Sequence, residues 1–169
     1  MKNVTQVLSD EHQTILKVID VVLEKCDQME KSGEYDAGFF EKVIQFIKSY
    51  ADGFHHAKEE DILFKAMLEN MDHMHCNPIP VMLHEHDAGR EYVKGMEEAM
   101  QSGNSKGLIE NARGYCYLLQ SHIEKEDNIL YPMAEQALDD LQKEKVEKLY
   151  SSVNKGDFLK EDIQGLIFP

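Results

Sequence analysis

Two stretches of the sequence contain the same spacing of a histidine and a glutamate. His55 precedes Glu59 by four positions, and 67 residues further on His122 precedes Glu126 by the same interval. After two intervening residues, each glutamate is followed by an Ile-Leu-aromatic sequence. Because residues four apart lie on one face of a helix, each stretch is predicted to present an imidazole and a carboxylate together.

The apolar residues behind each glutamate indicate that this face points towards the core. Buried carboxylates are costly unless they are paired, so two of them beside buried histidines need a compensating positive charge. A metal ion is the simplest candidate. The alternative is two amphipathic helices with similar charged faces and no site, since a single His-x3-Glu match has little weight. The matched apolar residues and the repeat favour the metal site.

Four long amphipathic segments would position these residues. Apolar residues at helical spacing predict helices over about 4–31, 36–71, 80–101 and 108–136. Asp36 is a candidate N-cap, and Pro78 and Pro80 separate the second helix from the third. The stretch from 102 to 107 is predicted to be a linker. Long helices with short connections favour an all-α fold, an up-down-up-down four-helix bundle.

The remaining residues, 137–169, are predicted to add a short extra C-terminal helix and a tail. The tail contains Leu166-Ile167-Phe168-Pro169 and is apolar enough to pack against the bundle. At 169 residues, the chain is most simply one domain, 1–169, with the bundle core at about 4–136. Each half of the bundle would consist of a helix with one inward histidine followed by a helix with His-x3-Glu.

Two further histidines lie on apolar faces. His12 lies between Leu8 and Ile15, and His86 is aligned with Val93. A lone histidine in such a place is more often a hydrogen-bonded core residue than a ligand. In a bundle, however, they can meet the two motif histidines at one level. The predicted metal site therefore consists of His12, His55, Glu59, His86, His122 and Glu126.

The remaining histidines near the site are expected to lie outside it. Because neighbours on an α-helix point about 100° apart, His55 and His56 are not both expected to face the core. We place His55 with Glu59 in the site and His56 with Glu60 on its flank. His84 is expected at the surface. Replacing His56 or His84 should then leave the metal stoichiometry intact.

Other residues have an open or minor role at this stage. Tyr50 and Tyr117, each five positions before a motif histidine, could supply a phenolate or a hydrogen bond, although ordinary packing is favoured. Gly89 would either leave room beside a site or allow close helix contact. The segment His73-Met74-His75-Cys76 could hold a soft metal ion, but a solvated loop is favoured because no fourth ligand is evident.

The composition excludes several partners. A net charge of −14 argues against nucleic acid and anionic membrane surfaces. The first residues show no export signal, and no apolar run approaches the roughly 20 residues of a membrane span. Three scattered cysteines, Cys26, Cys76 and Cys116, do not make a disulfide framework, so we expect reduced thiols in a cytoplasmic protein.

The donor set indicates the metal. Six ligands are too many for one tetrahedral zinc ion, and magnesium or calcium would prefer oxygen donors. Mixed imidazole and carboxylate donors suit iron, with manganese possible. The economical arrangement is two ions, each with two histidines, bridged by both carboxylates. Positions left open on each ion would allow an oxo or hydroxo bridge and a small ligand such as O2, NO or peroxide.

The chain resembles the hemerythrin-like, or HHE cation-binding, family. The resemblance covers about residues 8–133 and rests on four motifs in order: Asp10-Glu11-His12, His55-x3-Glu59, Glu85-His86-Asp87 and His122-x3-Glu126 with Leu130-Tyr131-Pro132. It implies a non-haem, carboxylate-bridged di-iron centre in a four-helix bundle. His12, His55, His86 and His122 would serve the two irons, and Glu59 and Glu126 would bridge them.

The sequence differs from the oxygen-carrying members of this family in its number of histidines. Oxygen-carrying members take a fifth histidine from a His-x3-His on the third helix, whereas here Met82 and Arg90 flank His86 at that spacing. The pattern is closer to the iron–sulfur-cluster repair relatives, which have four histidines and two glutamates, but those carry a cysteine-bearing N-terminal segment that this sequence lacks. We therefore expect only four histidines at the site, and such an open site favours turnover or metal release over simple reversible oxygen carriage.

Three functions remain open. The favoured one is a di-iron protein that binds or senses O2 or NO, or handles iron. The second is a di-iron enzyme that acts on peroxide or NO, or in iron–sulfur cluster repair. The third is a purely structural bundle with incidental histidines.

Overall fold

The structure is a computed structural model that describes residues 3–154 and 160–167. Over these residues every regular element is a helix, so the all-α prediction is confirmed. The α-helices are α1 (Gln6–Ser32), α2 (Ala37–Phe46), α3 (Phe64–Leu68), α4 (Ile79–Gln101), α5 (Ser105–Lys125), α6 (Tyr131–Ala137), α7 (Asp140–Tyr150) and α8 (Lys160–Ile167).

Two of the long helical runs contain π-helical segments. A first π segment (Ile47–His56) and a second (Glu59–Leu63) join α2 to α3, and a third (Glu126–Leu130) joins α5 to α6. In a π-helix the hydrogen bonds span five residues instead of four, so the side chains are rotated from their α-helical directions. Such segments often lie at functional sites. Here each of them contains candidate metal-binding residues.

Most helix ends match the sequence prediction. Gly33 ends α1 with a φ of 72°, which glycine adopts without strain, and Asp36 caps α2 by accepting a hydrogen bond from the Phe39 amide at 3.0 Å. The predicted linker is shorter than expected. Asn104 accepts a hydrogen bond from the Gly107 amide at 2.9 Å, and this cap starts α5 already at Ser105.

The hydrophobic core consists of two clusters. One includes Ile15, Ala51, Val93 and Leu119, and the other includes Leu8, Ile62, Met82 and Leu130. Along each of the four long helical runs, the candidate metal-binding residues lie between a residue of one cluster and a residue of the other. These residues therefore form a buried polar layer between the two apolar clusters.

The C-terminal helices pack against this core. Val146 and Tyr150 of α7 join the second cluster, while α8 contacts α1 and α2 through the buried Leu166. The prediction that the tail packs against the bundle is confirmed for Leu166, whereas Phe168 and Pro169 lie outside the described residues. Among the helices described, none has both the length and the apolar character needed to cross a membrane.

Candidate metal centre

The six residues predicted from the sequence all lie in the buried polar layer, each at most 2% exposed. Together with His56, they form two groups whose ligand atoms lie within 4.8 Å of one another and could hold a metal ion. The two-histidine cluster consists of His12, His55, Glu59 and Glu126. The three-histidine cluster consists of His56, Glu59, His86 and His122.

The position of His56 corrects the sequence prediction. His56 is only 5% exposed and faces the core next to His55, instead of lying on the flank of the site. Its ring stacks on that of His86, with centroids 3.8 Å apart and an interplanar angle of 13°. Five histidines, not four, therefore surround the centre, and the fifth comes from the second long helix instead of the third.

The first π segment explains this arrangement. Its wider turn rotates successive residues by less than the roughly 100° of an α-helix, so His55 and His56 point in more similar directions. Gly53 is part of this segment, and a Cβ on it would lie 2.9 Å from the carbonyl oxygen of Lys48. Because real Cβ atoms do not approach a backbone oxygen so closely, glycine is required for this backbone path.

The two glutamates lie between the histidine clusters. Glu126 Oε2 is 3.3 Å from His12 Nε2, and Glu126 Oε1 is 3.0 Å from His122 Nε2. Glu59 Oε2 is 3.7 Å from His55 Nε2 and 3.5 Å from the nearest nitrogen of His86. Each carboxylate thus contacts a histidine of both clusters, as a bridging ligand would.

Outside Glu59 and Glu126, a further set of carboxylates surrounds the histidines. Each histidine donates a hydrogen bond from Nδ1 to one of them: His12 to Asp127 (3.0 Å), His55 to Glu11 (2.9 Å), His56 to Asp52 (3.3 Å), His86 to Glu60 (2.7 Å) and His122 to Glu85 (2.7 Å). In three of these pairs the carboxylate lies on the preceding long helical run, and in a fourth His12 of the first run pairs with Asp127 of the last. These four pairs close a ring around the centre.

Four of these five outer carboxyls are held in the charged form. The hydrogen bond from His86 is the main reason that the pKa of Glu60 is below its ordinary value. Burial raises the pKa of Asp52, Glu85 and Asp127, but hydrogen bonds from their partners outweigh it and lower the pKa of each. A charged carboxylate can only accept hydrogen bonds, so the proton of each pair lies on the histidine Nδ1.

In the neutral form of each histidine, the inward nitrogen is therefore a lone pair. With Nδ1 protonated, a neutral imidazole presents an unprotonated Nε2. The Nε2 atoms of His86 and His122 face each other at 3.0 Å, because the carboxylate bonded to each Nδ1 fixes the orientation of the ring. Two lone pairs at this distance repel unless a cation or a proton lies with them. Outer carboxylates that fix the histidine tautomer are typical of metal sites.

The oxygens of the centre show the same need for a cation. Glu59 Oε2 and both carboxylate oxygens of Glu126 are buried and have no hydrogen-bond partner among the described residues, and the same holds for His55 Nε2. Native proteins rarely leave buried polar atoms unsatisfied. The residues present therefore fit a bound metal ion.

Neighbouring residues of the centre favour different protonation states. Burial lowers the pKa of His12, but neighbouring carboxylates outweigh it and raise the pKa to about 9. Burial is the main reason that the pKa of His55 falls well below its ordinary value and that of His56 falls to about 4. Burial and the charge of Glu126 raise the pKa of Glu59 well above its ordinary value. Bound cations would remove this conflict, because they favour charged carboxylates and neutral imidazoles.

Comparison with known families now agrees with this geometry. The sequence model of the Hemerythrin HHE cation binding domain matches residues 3–134, more than half of the chain. The chain belongs to the hemerythrin HHE cation-binding family. Comparison with curated proteins and with solved structures finds no match.

One residue near this HHE centre was not assigned from the sequence. Tyr131 is buried, and its hydroxyl donates a hydrogen bond to Glu59 Oε1 at 2.6 Å. Its ring stacks on His12, with centroids 5.4 Å apart. The equivalent residue in the first half of the chain is Phe64, which stacks on His86 at 6.0 Å. The only sequence signal was the aromatic position shared by the two repeats.

Other candidate residues lie away from the HHE centre. His84 is exposed, as predicted. Tyr117 is 58% exposed, and Tyr50 packs on Phe46 and Phe54 instead of reaching the clusters. Both tyrosines are thus placed as ordinary packing or surface residues. In the loop at 73–76 the three candidate donors belong to neither metal-binding group.

Proposed function

We propose that this HHE domain binds two iron ions in an up-down-up-down four-helix bundle. His12 and His55 would hold one ion, and His56, His86 and His122 would hold the other, with Glu59 and Glu126 shared between them. The observation that carries the proposal is the 3.0 Å approach of the His86 and His122 Nε2 atoms, each fixed by an outer carboxylate. A shared metal ion makes this approach favourable.

The donor set favours iron over other metals. Five imidazoles and two carboxylates are a mixture that suits iron, and manganese shares much of this preference. Magnesium and calcium prefer oxygen donors, and a tetrahedral zinc site would leave several donors unused. Structural support comes from the outer carboxylates, since such partners orient metal ligands and raise their basicity.

We further propose that the centre binds or senses a small ligand such as O2 or NO, or handles iron. When bound, a pair of iron ions supplies redox chemistry and open positions for such a ligand. The chain contributes the rest: the two hydrophobic clusters shield the polar layer from water, and the outer carboxylates hold the imidazoles in one orientation. The charge of −14 makes nucleic acid an unsuitable partner, and a cytoplasmic location would keep the thiols reduced.

Anaerobic loading tests this proposal. The metal-free chain is given ferrous iron without air, and bound metal is counted by mass spectrometry under native conditions. We expect two irons per chain, and the optical spectrum should change when oxygen is admitted. A spectrum that reverses on degassing supports a carrier or sensor. No iron uptake would contradict the proposal, and an Asp61→Ala control, changed at an exposed carboxylate, should load normally.

A second candidate function is an enzyme that reduces peroxide or acts on NO. The observation that favours it is a cavity of about 120 Å³ whose wall includes His56 and His86. Such a space would admit a substrate to one side of the centre. Catalytic consumption of hydrogen peroxide or NO over many turnovers, with an added electron donor, distinguishes this function from reversible binding.

A further inference from the structure

Arg90 joins two of the outer carboxylates of the three-histidine cluster. It lies on α4, four residues after His86. Its Nη2 atom donates hydrogen bonds to Asp52 Oδ1 and to Glu60 Oε1, both at 2.7 Å. Its Nε atom donates to the same oxygen of Asp52 at 3.0 Å, and Nη1 donates to Asp87 at 2.9 Å. The guanidinium group thus connects α4 to the first and second π segments.

The oxygens that Arg90 contacts are the same ones that bond the histidines. Asp52 Oδ1 accepts a hydrogen bond from His56 Nδ1, and Glu60 Oε1 accepts one from His86 Nδ1. The two imidazole rings stack on each other, with centroids 3.8 Å apart. A closed loop of contacts therefore runs from one ring through Asp52, Arg90 and Glu60 to the other ring. Because the loop is closed, neither ring can rotate without breaking a hydrogen bond or the stack.

A guanidinium group is suited to this position. It is planar and donates in fixed directions, so it orients a carboxylate as well as attracting it. The side chains of Asp52 and Glu60 are 32% and 25% exposed, so each could turn towards solvent if Arg90 did not hold it. A lysine would supply the same charge from a flexible stem, without the planar geometry.

The second half of the chain lacks the corresponding carboxylate and histidine together. At the repeat distance of 67 residues, Leu119 stands in place of Asp52 and Ile123 in place of His56. Both of these apolar residues are buried. The extra imidazole of the first half is thus accompanied by its own carboxylate, and Arg90 bonds that carboxylate.

Asp127, the repeat equivalent of Glu60, has no such support. It accepts a hydrogen bond from His12 at 3.0 Å and one from the Ser9 hydroxyl at 2.7 Å. Among the described residues, no ion pair joins it to a lysine or an arginine. An arginine therefore holds outer carboxylates of the three-histidine cluster, whereas a serine takes this place beside His12 of the two-histidine cluster.

We propose that Arg90 is a positioning residue that holds His56 and His86 in the orientation needed to bind one of the two metal ions. It acts through Asp52 and Glu60 and does not touch the metal itself. The inference rests on the proposed function, because it assigns a residue that supports one of the two ion positions. Loss of Arg90 should weaken iron binding at the three-histidine cluster and leave the two-histidine cluster unchanged.

The affinities of the two irons in Arg90→Gln test the inference. The full chain is loaded without air and titrated with a chelator, and native mass spectrometry counts chains with two, one or no iron. Outer partners of metal ligands contribute about 10–100-fold to metal affinity, and Arg90 lies one contact further out, so we expect one iron to bind about tenfold more weakly. Mössbauer spectra of the loaded protein should change for that iron only.

Two further variants identify which iron is affected and how. In a His56→Ala background, which should already lack the iron of the three-histidine cluster, adding Arg90→Gln should not weaken the iron that remains. Arg90→Lys keeps the charge and should weaken the same iron by less than Arg90→Gln does. It also provides the selective readout if Arg90→Gln does not fold.

Arg113→Gln is the matched control. Arg113 on α5 likewise joins two carboxylates, Asp27 and Glu30 of α1, at 2.6 and 2.8 Å, but none of these residues belongs to either metal-binding cluster. This variant should bind both irons like the wild type. Unchanged affinities in Arg90→Gln, equal weakening of both irons, or the same selective loss in Arg113→Gln would overturn the inference.

The iron count of the wild type separates the two proposals. Two irons in the wild type without a selective loss in Arg90→Gln would reject only the role of Arg90. Fewer than two irons in the wild type would reject the proposed function, and the role of Arg90 with it.

Discussion

The two halves of the metal centre have the same frame but different contents. In the first half Glu11 accepts hydrogen bonds from His55 and Lys58, and in the second half Glu85 accepts them from His122 and Lys125. The histidines and lysines of the two halves are 67 residues apart in both cases. The internal repeat thus builds a nearly symmetric cage of helices, carboxylates and cations.

Two departures from symmetry lie at the centre. The position equivalent to His56 in the second repeat is Ile123, so only one half supplies an extra imidazole. The position equivalent to Tyr131 is Phe64, so a phenol bonded to the shared Glu59 lies only on the side of His12. The shared helices, carboxylates and lysines determine where two ions would lie. A few substitutions make the two ion positions chemically different.

Removing both shared carboxylates should break both halves at once. In the double variant Glu59→Ala, Glu126→Ala, we expect iron binding to fall from two ions per chain to none, because both clusters lose their anionic ligands. Metal analysis after anaerobic loading and desalting measures this. The double control Asp61→Ala, Glu124→Ala changes two exposed carboxylates nearby and should retain both ions. Full retention in the first variant would contradict the site.

Replacing His56 should break only the three-histidine cluster. The sequence alone predicts no effect of His56→Ala, but the structure reverses this expectation. We now expect the loss of about one of the two ions. Native mass spectrometry distinguishes chains with two, one or no iron. His84→Ala, an exposed histidine two residues before His86, is the control and should still bind two. Equal occupancy in both variants would show that His56 is not a ligand.

These outcomes separate what the sequence could predict from what it could not. The helices and the six residues predicted for the metal site could be identified from apolar periodicity, which specifies one face of an α-helix over many turns. His56 was misplaced because that reasoning assumes α-helical rotation throughout, whereas the first π segment changes it. Gly53, two residues before His55, is the only local signal of this irregularity in the described structure.

The outer carboxylates show a second limit. Glu11, Glu60, Glu85 and Asp127 each adjoin a predicted site residue in the sequence, yet each bonds a histidine of another helical run. Such pairings depend on how the helices are rotated against one another. A single sequence specifies the face of each helix but not this rotation.

The role of the first π segment can be tested directly with Gly53→Ala. The new Cβ would lie 2.9 Å from the Lys48 carbonyl oxygen, so the backbone must shift. We expect the free energy of unfolding to fall by about 1–3 kcal/mol, the usual cost of overpacking. The three-histidine cluster should also bind iron more weakly, because His56 loses its orientation. Chemical denaturation and metal titration measure the two effects.

Gly38→Ala provides the comparison for this variant. Its Cβ would meet Asp36 Oδ1 at an ordinary 3.9 Å in the exposed first turn of α2. Since alanine favours helix over glycine by about 1 kcal/mol, this change should not destabilise the protein. Similar stability of both variants would show that the first π segment does not require glycine.

The last prediction concerns the buried tyrosine that only one half has. Tyr131→Phe removes the hydroxyl bonded to Glu59 Oε1 and makes this half resemble the other, where Phe64 occupies the equivalent position. A hydrogen bond to a buried charged group contributes about 1.5–3 kcal/mol, so we expect iron at the two-histidine cluster to bind roughly tenfold more weakly or worse. Competition with a chelator measures both affinities. Tyr150→Phe is the matched control, because the Tyr150 hydroxyl is buried without a partner among the described residues and its removal should change neither affinity. Equal weakening of both ions in Tyr131→Phe would mean that Glu59 transmits the change across the centre, and that the two halves are not independent.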